Sequence, residues 1–379
     1  MTQNDWFRRI WLPGLAFKAA VIGGGYATGR ELATFFVPSG PVGGLWGLLA
    51  ATAIWSAVAA LTFAFAVHTR ARDYRTFFRH LLGRFWWIFE VAYLIAILVI
   101  LAAFAAAAGS IGASLFGWPE IGGALLFMAA TTFFASRGNE WVEPLFKYVS
   151  VLLYGTYAIF LILALSRFGD RIAATFAASH PPDGWLTGGV TYASYNIIGA
   201  IVILPVLRHL HSRRDAVIAG LLAGPLAMLP AVLFFLPMLA FFPGIESVEL
   251  PSDFLLERLN LPWFRVVFQL MVFAALLESG VGGVHAVNER IAQSWTARRG
   301  GDFPMPKRAA VAAAILALAV FVAGQFGLVA LVAEGYRWLA YLFLLIYVLP
   351  LSTLGLRHML RVRRAEPLAT IIPATDAGS

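Results

Sequence analysis

The chain has no cysteine among its 379 residues, which excludes disulfides, iron–sulfur clusters and thiol catalysis together. Charge is scarce as well, 13% of residues against 60% hydrophobic ones. With a mean hydropathy of +0.79, the chain carries more apolar surface than a soluble domain can hide, so its class is polytopic membrane protein. Histidine is nearly as sparse. His209 and His211 have a spacing that would suit a metal, but they stand in a basic loop with no acidic or cysteine ligand beside them. We expect no metal site, no cofactor and no catalytic residues, since no nucleophile or metal cluster gathers at an interface. The net charge of +8 does not imply nucleic acid, because Arg and Lys sit in short loops between apolar runs, as the positive-inside bias requires.

What is present is a succession of apolar segments, each near the length of about 20 residues that crosses a bilayer. They cover 11–36, 41–67, 86–113, 119–136, 144–167, 185–207, 216–242, 264–291, 308–328 and 334–357. Arg8 and Arg9 before the first run resemble the start of a signal peptide. Lys18 interrupts that run, which then continues to Phe36, so we read it as an uncleaved first span. Basic residues favour alternate loops: Arg8 and Arg9, then Arg70 to Arg84, Arg137 and Lys147, Arg208 to Arg214, Arg290 to Arg308, and Arg357 onward. The other loops hold only Arg167, Arg171, Arg258, Arg265 and Arg337. Both termini are therefore expected on the cytoplasmic side of the cell membrane.

The first segment contains Gly23-Gly24-Gly25-Tyr26-Ala27-Thr28-Gly29-Arg30-Glu31. Bunched glycines weaken a helix and buried charge is expensive in a membrane, so a break is expected here. Thr28 and Glu31 have capping-box spacing, which predicts a second helix starting near Gly29 and running through Leu32, Phe35 and Phe36. Broken backbone at membrane depth survives only in protein or beside a watery cavity. The sixth segment carries a comparable polar cluster, Thr191-Tyr192-Ala193-Ser194-Tyr195-Asn196, followed by Gly199 and Pro205. It reads either as a second break or as an interfacial aromatic belt. Two loops predict helices of their own. One follows Asp73, with Tyr74, Phe77, Phe78, Leu81 and Leu82 on a single face; the other follows Pro251-Ser252-Asp253 and ends near Asn260. They fall in corresponding loops on opposite sides, as two five-span halves of opposite orientation require.

These motifs, the triple glycine through Glu31 and Tyr192-Ala193-Ser194-Tyr195-Asn196, resemble the YkvI-like membrane proteins of the amino acid-polyamine-organocation superfamily. The resemblance implies an all-α LeuT-like fold of about ten spans in one membrane domain. Residues 11–167 and 185–357 would be the inverted repeats, 358–379 a cytoplasmic tail, and the site would lie between spans one, three, six and eight. It also implies that hydroxyls of span eight complete a sodium site with carbonyls of span one, for which Ser279 is the candidate.

On this reading the substrate contacts are Gly23, Gly24, Gly25, Tyr26, Thr28, Gly29, Tyr192, Ser194, Tyr195 and Asn196, and Tyr93 is a wall. Carbonyls ending one half-helix attract a cation and amides opening the next attract a carboxylate, so a break can hold a zwitterion. The glycines also fit tight helix packing, and Glu31 is either a cap or a free carboxylate. Glu278, near the middle of span eight, needs a cavity, a partner or a proton. It shares a helical face with Gly282, His285 and Glu289. Lys18, about 7.5 Å before the glycines, is either a snorkelling side chain or an internal cation paired with Glu278. The expected function is a secondary transporter for a small zwitterionic or cationic organic solute. The titratable Lys18, Glu31 and Glu278 favour coupling to protons over sodium. A ligand sensor without flux is the alternative.

Overall fold

The computed structural model describes residues 3–137, 139–178 and 181–365; the expected tail beyond 365 and the side chain of Lys147 lie outside the described residues. The described chain is helical throughout. A short α1 (Gln3–Ile10) leads into α2 (Leu12–Val21), α3 (Gly24–Ala27) and α4 (Arg30–Phe35), which are the pieces of the broken first span. Then come α5 (Gly40–Thr69), α6 (Tyr74–Leu82), α7 (Trp87–Phe116), α8 (Glu120–Arg137) and α9 (Asn139–Ala177). The second half comprises α10 (Trp185–Asn196), α11 (Gly199–Val202), α12 (Arg213–Leu239), α13 (Pro251–Leu259), α14 (Pro262–Arg299), α15 (Met305–Ala330), α16 (Tyr336–Phe343) and α17 (Leu356–Ala365). Among the described residues, six stretches are long and apolar enough to cross a membrane. One joins α4 to α5, and another runs from Met305 to Leu360 across the ninth and tenth expected segments. The expected segments at 119–136 and 185–207 are helical but do not meet that criterion.

Several boundaries differ from expectation for local reasons. α9 continues to Ala177, so Arg167 and Arg171 lie on a helix rather than in a loop, and α14 likewise carries Arg290, Arg298 and Arg299. α6 forms where expected, with Asp73 Oδ1 accepting from the Thr76 amide at 2.9 Å and Phe77, Phe78 and Leu81 buried. α13 forms too, but its cap position is Leu250 without a side-chain bond. Asp253 turns instead to Arg265 at 2.7 Å.

The helices pack reciprocally. α2 lies on α12 while α10 lies on α5; α7 lies on α15 while α8 lies on α14. Exchanging spans one to five for six to ten maps each of these pairs onto the other, as an inverted repeat does. The two halves meet along α5 and α12, where Ser56 Oγ donates to the Leu221 carbonyl at 2.9 Å. Gly220 sits against the Ala60 backbone with no space for a side chain. Outward-facing Ile162 and Leu345 are 69% and 64% exposed, which marks the lipid-facing belt.

Gly220→Leu should cost about 3 kcal/mol by overpacking that seam. Gly155→Ala, into open space, should leave stability unchanged or slightly raised. Thermal unfolding of both variants in detergent checks this, and equal stability would mean the seam is not close-packed.

Candidate functional site

The first span breaks twice. After Val21, the amides of Ile22 and Gly23 turn back to the Lys18 and Val21 carbonyls, and Gly23 is extended (φ −118°, ψ −164°) before the single turn of α3. At the second break Gly29 adopts φ 77°, a left-handed conformation that only glycine takes without strain. The capping box does not form. Thr28 Oγ1 accepts from the Arg30 amide at 3.2 Å and donates to the Gly25 carbonyl at 2.7 Å. Glu31 leaves the cap and accepts a 2.5 Å hydrogen bond from the Tyr195 hydroxyl of α10. This joins the two interrupted spans through a short, strong contact. Its other oxygen faces Gly25, where a Cβ would lie 2.6 Å away.

The sixth span is interrupted more gently. Ile197 and Ile198 keep right-handed angles, and the helix tightens to shorter bonds, with the Ala200 amide donating to the Ile197 carbonyl at 3.0 Å. Its polar cluster is buried inside the bundle, which removes the aromatic-belt reading: Tyr192, Ser194 and Tyr195 are each 3% exposed or less.

A cavity of about 370 Å3 lies at these interruptions. Of the expected contacts, Gly23, Gly25, Tyr26, Glu31, Tyr195 and Asn196 line it, together with Tyr93, Glu278 and Ser279. Ser279 Oγ would stand 2.7 Å from a Cβ on Gly23, so the span-eight hydroxyl meets the first break directly. Gly24 opens α3 beside it. Thr28, Gly29, Tyr192 and Ser194 are not brought into the cavity. Thr28 and Gly29 face the outer loop, Tyr192 packs on Phe36 and Trp55, and the Ser194 hydroxyl bonds the Val190 carbonyl at 2.6 Å. Lys18 turns away, its Nζ 4.6 Å over the Tyr154 ring. The α14 face also divides. Glu278, Ser279, Gly282, Gly283 and Ala286 face the cavity, whereas Glu289 pairs with Arg308 at 2.6 Å.

Two aromatic contributors were missed from sequence. Tyr336 lines the cavity, its ring tilted against that of Tyr195 with centroids 4.6 Å apart; nothing in the local sequence separates it from an interfacial tyrosine. Phe104 sits inside an alanine-rich run, the composition of a helix approached closely on several sides, and that was its only signal.

The cavity is closed at one end and open at the other. At the closed end the Ser252 amide of α13 donates to the Thr28 carbonyl at 3.0 Å. There Arg30 also donates to the Val248 and Glu246 carbonyls at 2.6 and 2.8 Å. The first amide of α4, that of Arg30, is therefore taken by Thr28 Oγ1 rather than open to a ligand as expected. Toward the other end, lining residues Ala19, Ala20 and Val202 are exposed. At that mouth Arg290 pairs with Glu90 at 3.1 Å and covers the rings of Tyr74 and Tyr93.

The chain matches no protein-family model. It is 22% identical over 340 residues to the uncharacterized membrane protein YkvI of Bacillus subtilis (strain 168), spanning 86% of this chain and 90% of that one. Its structure is similar to that of MhsT in complex with L-phenylalanine (TM-score 0.54, 16% identity, 96% and 98% of the two chains). It is also similar to a manganese transporter from Eremococcus coleocola (0.54, 16%, 92% and 79%). A third likeness is to a Na+-coupled sialic acid symporter (0.55, 14%, 93% and 81%). The chain is thus a multi-pass membrane protein with a LeuT-like fold, as the resemblance carried by its two motifs implied.

Proposed function

We propose that the protein is a secondary active transporter of the cell membrane that moves a small amine-bearing organic solute, zwitterionic or cationic, by alternating access. The observation that carries this reading is Glu31: a buried carboxylate held by Tyr195 at a helix break and lining a cavity of about 370 Å3. Among the described lining residues there are two carboxylates and no Lys, Arg or His. A cavity so lined favours a cation, and aromatic walls from Tyr26 and Tyr336 suit an ammonium. Of the carbonyls ending α2, those of Lys18 and Val21 accept from the Ile22 and Gly23 amides, whereas those of Ala19 and Ala20, both lining residues, have no backbone donor among the described residues and add a second cation-attracting element. That is a place for a coupling ion, while Glu278 is the candidate proton carrier. With the basic loops on the cytoplasmic side, residues 11–167 and 185–357 are the two repeats, both termini face inward, and the open end of the cavity is its cytoplasmic end.

Glu31→Gln should weaken binding of the transported amine roughly 10- to 100-fold, the worth of a charge-assisted contact. Equilibrium binding across a panel of amino acids and amines checks this; undiminished affinity would remove Glu31 from the site. In proteoliposomes, Glu278→Gln should abolish uptake or its pH dependence, and unchanged pH-dependent uptake would exclude Glu278 from coupling. Because the chain has no cysteine, single replacements report solvent directly. A thiol at Ala286 should react with a membrane-impermeant reagent from the cytoplasmic side, and one at Ala33, fully buried, should not. Reactivity of Ala33→Cys alone would reverse the direction of opening.

A further inference from the structure

A second hollow, of about 200 Å3, lies between α2, α9 and α12, and Tyr26 stands in the wall of both it and the central cavity. Its walls are apolar, including Ile22, Leu153, Leu229 and Leu233. Leu229 is 59% exposed and Tyr154 46% on membrane-crossing helices, so the mouth opens to lipid rather than to water. Three phenols and one ammonium supply its polarity. Lys18 Nζ lies over Tyr154 and takes part in none of the ion pairs of the described residues. The hydroxyls of Tyr26 and Tyr157 are buried, and the two phenols, their rings 6.0 Å apart, face each other. A cation without a counter-ion is costly in an apolar crevice, and the group that answers it there is an oxyanion. Lys18 is six residues into α2, about 9 Å along the helix, within reach of the headgroup region along its stem.

We propose that this crevice binds an amphipathic oxyanion from the bilayer, its acidic head on Lys18 and its chain along the apolar wall past Leu229. The head is the phosphodiester of an anionic phospholipid or the carboxylate of a free fatty acid. An occupant here fastens α2, the half-helix beside the open end of the cavity, to α9 and α12.

The test is the apparent melting temperature of the purified full chain in uncharged detergent. It is measured with dioleoylphosphatidylglycerol, oleate, dioleoylphosphatidylcholine or inorganic phosphate. The phospholipid or oleate, whichever is the source, should raise it by roughly 4 °C at a hundredfold excess over Kd, and the neutral lipid and free phosphate should not. Lys18→Gln should lose the shift and Lys18→Arg keep it. Leu229→Trp, which fills the crevice and leaves Lys18 in place, should lose it too, and this variant decides the matter if Lys18→Gln does not fold. A shift that survives both Lys18→Gln and Leu229→Trp, one matched by the neutral lipid or by phosphate alone, or none with either amphiphile overturns the proposal.

Discussion

The structure depends on how the backbone groups freed by the interrupted first span are answered. Hydrocarbon offers them nothing, so each must find protein or water. The Thr28 carbonyl is met by the Ser252 amide from the other half of the chain, and the Arg30 amide by the Thr28 hydroxyl. The first of these bonds, with the Arg30 side chain on the Val248 and Glu246 carbonyls, places the outer helix α13 over the break and closes one end. The Lys18 and Val21 carbonyls accept from the Ile22 and Gly23 amides, and those of Ala19 and Ala20 are left at the cavity. One local defect therefore fixes the outer loop, the seal and the site together.

The two interruptions are unequal. The first has an extended residue and a left-handed glycine, whereas the sixth span keeps helical angles and only tightens. The Glu31–Tyr195 contact ties the more broken span to the less broken one. Around it, Tyr192, Phe36 and Trp55 form a fully buried aromatic core on the sealed side, while Ala19 and Ala20 stay exposed on the other. A cavity open at one end around a buried carboxylate suits a solute that enters from one side and leaves from the other.

Much of this was legible from residue order. Bunched glycines cannot be mistaken for a plain span, and Asp73 with a five-residue apolar face specifies α6 by itself. What was not legible depends on neighbours distant in sequence. Glu31 has capping spacing, but a tyrosine 164 positions away takes its carboxylate. Asp253 has the look of a first-turn cap residue, but Arg265 and the Ser114 hydroxyl hold it. Lys18 and Glu278 lie at compatible depths, yet rotation about α2 turns Lys18 to Tyr154 and into a different hollow. Periodicity tells which face is apolar, not which of two polar neighbours a long side chain will choose.

The central claim is that the interrupted backbone at Gly23 to Gly25 faces a hydrated cavity. Hydrogen exchange measured by mass spectrometry on the protein in lipid nanodiscs tests it most directly. Amides of Gly23 to Gly25 should exchange within minutes, while those at comparable depth in the unbroken α7, such as Leu101 to Ala103, remain protected for hours. Equal protection in both stretches would mean that the first span is continuous and dry, and would contradict the account.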